Sequence, residues 1–116
     1  MHRPLTLVGA ALLILAFGHS VSAQDAKMIE RGKQVYAEQK CKMCHSIGTE
    51  GNTKGPLDDT GNKLKAAEIK EWIVDPKAMT EKTKAARKPL MKAYPSLPAA
   101  DLDALVAYMQ SLKKKK

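Results

Sequence analysis

Two cysteines, the only two in the chain, stand three positions apart and are followed at once by a histidine in CKMCH, Cys41 to His45. This pentapeptide limits what the chain can fold into more than any other stretch. A small domain has little apolar interior and usually needs a staple to stay folded. A disulfide between Cys41 and Cys44 would enclose only Lys42 and Met43. A crosslink around so short a loop removes little entropy from the unfolded chain. Some other staple is required.

The domain to be stapled is small. At the N-terminus, Arg3 precedes an apolar run from Leu5 to Phe17, which is too short to span a bilayer comfortably, and the small residues Val21, Ser22 and Ala23 follow it. This pattern predicts a cleaved secretory signal peptide over residues 1–23 and export to the periplasm. No cysteine follows the run, so export is not expected to end in a lipid anchor, and no stable membrane anchor is expected after cleavage. Removing 23 of the 116 residues leaves 93. The expected organisation is a single domain over 24–112, with a frayed basic tail, KKKK, over 113–116.

Of the three histidines, His2 and His19 lie in the leader, so His45 alone remains. Zinc sites of the Cys2His2 or Cys3His kind need more ligands than Cys41, Cys44 and His45 supply. A thioredoxin-like CxxC needs a strand before it and a helix after it. Here a helical pattern precedes Cys41, and SIGTEGNTKGP after His45 reads as loop. The CxxCH pattern instead fits covalent haem attachment, in which each thiol adds to a vinyl group as a thioether and the imidazole ligates the iron. The staple is then the cofactor, one haem c per chain.

Helical periodicity supports a domain built to hold it. Met28, Gly32, Val35 and Tyr36, with Ile29 beside them, share one face of a helix predicted over 26–39. Glycine inside a helix costs about 1 kcal/mol relative to alanine, so Gly32 implies close approach of a second helix. The segment after Pro98, with Leu102, Leu105, Val106, Met109 and Leu112 at helical spacing, is the expected partner. Ile69, Trp72 and Ile73 mark a third helix that stops at Asp75 and Pro76. No segment shows sustained alternation, so the expected class is all-α, with three or more short helices joined by Gly, Asn, Pro and Lys-rich loops.

Six methionines raise the question of a second iron ligand. Met1 is in the leader, Met43 lies on the histidine's side, and Met28 and Met109 fit helix-packing faces, which leaves Met79 and Met91.

The segments GKQVYAEQKCKMCH, Gly55-Pro56, EWIVDPKAM and LMKAYPSLPAADLDALVAYMQSL, in that order, resemble a small soluble class I cytochrome c of the bacterial type. The resemblance implies packed N- and C-terminal helices around one haem. It implies Met91 as the sixth ligand, opposite His45, with Met79 a non-ligating residue. It implies Pro56 in the haem pocket as the carbonyl partner of the His45 ring, and Trp72 near the haem propionates. Lys92 departs from the proline many relatives carry.

His/Met ligation raises the reduction potential and leaves no open coordination site, which favours one-electron transfer over catalysis. No histidine is left over for distal acid–base work. Of 20 basic side chains only Arg3 lies in the leader, which leaves 19 against 12 acidic and a balance of +7. Lys40, Lys42, Lys54, Lys88 and Lys92 neighbour the segments expected at the haem edge, a field that would steer a monomeric carrier toward acidic docking surfaces on redox partners. Compartment argues against nucleic acid. The sequence leaves open a role as the haem subunit of a periplasmic enzyme complex.

Overall fold

A computed structural model describes residues 23–115; the predicted signal peptide therefore lies outside the described residues, apart from Ala23. The elements are α1 (Ala23–Glu38), a 3-10 turn (Cys41–Met43), strands β1 (Ser46–Ile47) and β2 (Glu50–Gly51), then α2 (Thr60–Lys63), α3 (Ala66–Val74), α4 (Pro76–Thr83) and α5 (Ala99–Ser111). The chain is helical as expected, with one two-stranded antiparallel ribbon pairing Ser46 with Gly51 and Ile47 with Glu50. Two-residue strands carry no readable alternation, so SIGTEGNTKGP contains a hairpin where periodicity indicates only loop.

The frame is α1 packed along α5. Gly32 is buried, and a Cβ placed on it would collide with the carbonyl of Ala104 and with Tyr108. The missing side chain is what lets the two helices meet at this distance. Val35 is fully buried beside them, and with Ile69, Ile73, Leu102, Leu105, Val106 and Met109 it forms the core. At the rim of the helix pair, Arg31 lays a two-pronged guanidinium on Asp101, with bonds of 2.9 and 3.0 Å, and also reaches Glu38 at 3.0 Å. Tyr36 and Tyr108 meet edge-to-face, with centroids 5.9 Å apart.

The Asp75-Pro76 pair is both a stop and a start. Proline ends α3, but its fixed φ also suits the first turn of a helix. The Asp75 carboxylate accepts a hydrogen bond from the Ala78 N–H at 3.1 Å and caps α4. Pro98 stands one position before α5, at its cap, and its carbonyl accepts from Leu102 N–H at 2.9 Å.

A frayed tail is expected over 113–116, and at Lys114 the backbone is instead tied down. The Lys114 N–H donates to Asp59 at 2.9 Å, its carbonyl accepts from Asn62, and Gly61 N–H donates to the Leu112 carbonyl at 2.8 Å. These backbone bonds tie the chain after α5 to α2. Gly61 also lies so close to the Gln110 carbonyl that a Cβ would overlap it.

Candidate functional site

The CKMCH turn begins with an abrupt change of direction. Lys40 adopts a left-handed conformation, φ 56°, which ends α1 and starts the 3-10 turn. Cys44 N–H and His45 N–H both donate to the Cys41 carbonyl, at 3.1 and 3.0 Å. The turn thus fixes the backbone from which both thiols and the imidazole project.

His45 is oriented by its own loop. Its Nδ1 lies 3.0 Å from the Gly55 carbonyl, and donation there leaves Nε2 with a free lone pair. The acceptor is Gly55, one residue before the expected Pro56. The reason is the path of the backbone. Ser46 bridges Pro56, with Leu57 N–H donating to the Ser46 carbonyl at 2.9 Å and Ser46 N–H donating to Gly55 O at 3.1 Å. That ladder turns the Gly55 carbonyl toward the imidazole. Pro56 is exposed and stands outside the cavity wall. Burial is the main cause holding the His45 pKa below the ordinary histidine range, opposed by the Gly55 bond and reinforced by the Arg87 charge. Burial therefore favours the neutral form of the ring, the form in which imidazole ligates a metal.

Cys41, Cys44 and His45 open onto a cavity of about 360 Å³ with a predominantly apolar wall. Trp72 lines it from α3 with Ile69 and Ile73, and Leu105 and Met109 line it from α5. The segment after α4 contributes Arg87, Pro89, Leu90, Met91 and Tyr94. Of the two candidate methionines, Met91 lines the cavity, whereas Met79, on α4, is fully buried and does not. Lys40 and Lys92 reach the cavity wall; Lys42, Lys54 and Lys88 are exposed outside it.

The donor set fits a haem better than the alternatives. Burial pushes the Cys41 thiol up to about 11, with the Cys44 thiol adding to the rise. A dithiol oxidoreductase needs the opposite, a thiolate stabilised near neutral pH. Among the described residues no three His, Cys, Asp or Glu side chains converge as a bare metal ion would require. The Tyr36 hydroxyl, on the cavity wall, is buried without a hydrogen-bond partner, and burial is the main cause pushing its pKa up to about 12. A buried polar atom without a partner is uncommon and suits a wall completed by something bound.

Sequence reasoning did not find Gly55, Arg87 or Tyr94. The Gly55-Pro56 pair marks the right turn but cannot say which carbonyl faces inward. Arg87 Nη2 donates to the Cys44 carbonyl, 43 positions away, at 2.5 Å, a contact with no local signature. Tyr94 N–H donates to the Ile73 carbonyl at 2.9 Å, satisfying one of the last carbonyls of α3.

Among the described residues no helix is long and apolar enough to cross a membrane. Cytochrome c oxidase subunit 2 of Alkalihalophilus pseudofirmus is 30% identical to the chain over 100 residues, in an alignment covering 74% of the chain and 26% of that protein. The chain therefore spans about a quarter of that relative's length. No solved structure matches it. The cytochrome c family profile matches residues 29–113, from the first turns of α1 to just past α5 and through the whole cavity. The chain belongs to the cytochrome c family, electron-transfer proteins that hold haem c through cysteine thioethers.

Proposed function

We propose that the protein is a periplasmic one-electron carrier with one haem c, joined to Cys41 and Cys44 and held on its iron by His45 and Met91. The observation that carries this reading is the shared cavity: both thiols, the imidazole and the Met91 side chain line it, and Met79 does not. Haem bound there supplies an Fe(III)/Fe(II) couple, whose potential a histidine–methionine ligand pair raises. The protein's own part is to aim the His45 ring through Gly55, to surround the site with the apolar side chains of Trp72, Ile69, Ile73 and Leu105, and to present Met91. A soft thioether favours the reduced metal, and an apolar wall disfavours added positive charge; both act in the same direction.

Lys40, Lys92 and Arg87 surround the cavity. They favour a redox partner with an acidic docking surface and make the encounter rate fall as salt rises. The carrier works as a monomer and exchanges electrons with soluble or membrane-bound respiratory partners. A second reading, the haem subunit of a periplasmic redox complex, is favoured by one observation: the matched relative bears the name of an oxidase subunit.

The test is spectroscopic. Met91→Ala should remove the weak far-red absorbance of methionine bound to ferric iron, lower the potential, and allow carbon monoxide to bind the reduced protein. Met79→Ala should leave the spectrum intact. Reversed behaviour would assign the ligand to Met79. Rapid carbon monoxide binding by the wild type would favour an open-site enzyme.

A further inference from the structure

The segment from Lys84 to Pro98 carries Met91 without regular secondary structure. It is fastened on both sides of Met91. On the downstream side Tyr94 uses its N–H to reach Ile73 at 2.9 Å and its hydroxyl to reach the Gln39 carbonyl at 3.4 Å. On the upstream side the fastening is Arg87, whose guanidinium donates to the Cys44 carbonyl. The guanidinium also lies against Gly55, where a Cβ would collide with it and with that same carbonyl. One side chain thus spans from the Met91 segment to the turn bearing both cysteines, beside the peptide that orients His45.

We propose that Arg87 is a positioning residue, a strap that fastens the Met91 segment to the Cys41–His45 turn and keeps the Met91 thioether at the cavity. The proposal rests on the reading of Met91 as the sixth ligand. Without the strap, the chain from the end of α4 to Tyr94 has no comparable tie to the cysteine turn, and a longer free loop has more open conformations available to it. A charged donor on a carbonyl is stronger than a neutral pair, although solvent exposure moderates it here. Arginine suits the position because its planar fork fits flat against a glycine peptide; lysine brings charge without that shape.

The experiment uses the haem-loaded protein. Arg87→Met keeps the aliphatic stem and removes donor and charge, while Arg87→Lys keeps the charge. Imidazole titrated into the ferric protein reads the ease with which Met91 leaves, through loss of the far-red methionine band. The expected result is imidazole binding about fivefold tighter in Arg87→Met than in wild type, with Arg87→Lys between them. Helix content should stay unchanged. Equal imidazole affinity in wild type and Arg87→Met, with the band present in both, overturns the strap alone. A wild type that lacks the band overturns Met91 ligation and the strap together.

Discussion

The α1–α5 pair and the segment from Lys84 to Pro98 both border the cavity, yet they are built on opposite terms. In the helix pair, protein meets protein: Gly32 lets the backbones touch, Val35 and Leu105 are buried, and Arg31 closes the rim on Asp101. In the loop segment, residues 84–90 are all exposed, Leu90 is 42% exposed, and Met91 is only half-buried. Pro89, Leu90 and Met91 line the cavity, and only Met91, Tyr94 and Leu97 pack against the helical core. The helix pair can form from the chain's own contacts, whereas the loop's apolar surface is completed by what occupies the cavity.

The comparison is broken most severely at Gly32. Gly32→Leu should cost roughly 3 kcal/mol, because the first carbon of the new side chain already overlaps a backbone carbonyl that no rotamer change can clear. Urea denaturation of the haem-loaded protein measures it, and an unchanged midpoint would mean the helices do not touch there. At the other region the sign reverses. Lys84 ends α4 in a left-handed conformation, φ 59°, so Lys84→Gly should stabilise by about 0.5–1 kcal/mol, seen as a higher midpoint.

Tyr94→Phe removes one long hydrogen bond and should cost about 0.5 kcal/mol. Its sharper signature is local: amide exchange should quicken between Lys84 and Pro98 and hold steady in α1 and α5. The smallest effect is on the acid limb. The Arg31 hydrogen bond holds the Asp101 carboxyl below its usual range. Its contribution is therefore present above the ordinary aspartate pKa of about 4 and is lost as pH falls through the depressed folded-state value. Asp101→Asn should flatten the fall in stability below about pH 4, measured by denaturation at a series of pH values. An unchanged slope would remove Arg31–Asp101 from the account of the helix pair.

The sequence is most legible where causes are local. The cysteines and His45 announce themselves because thioether and ligand geometry demand neighbours in sequence. Gly32 is legible because a helix does not carry a glycine for nothing, and the structure supplies the neighbouring backbone. Trp72 and Met91, singled out by the resemblance, both line the cavity. What escapes notice depends on where the chain goes next. Pro76 looks like an ending because proline breaks helices, yet Asp75 caps a new one. Pro56 is displaced by Gly55 because the choice between two adjacent carbonyls is made by the bridge from Ser46, not by either residue. Lys114 appears free because a run of lysines looks solvated, yet its peptide groups bond to Asp59 and Asn62. Arg87 has no periodicity to betray it.

The Gly55 carbonyl has two lone pairs, and both are taken, one by the Ser46 N–H and one by the His45 ring. Gly51, held at φ 101°, lies tight against the His45 carbonyl on the other side of the same turn. The hairpin between them is therefore an insertable module with fixed ends. Residues can be added or exchanged at Thr49, with Gly48 kept as glycine for its left-handed φ of 60°, provided that the chain returns Gly55 to the same point. A graft that misses that point would turn the imidazole as well as lengthen a loop, so on the proposed reading of His45 as an iron ligand this hairpin is a place to alter redox properties from outside the ligand set.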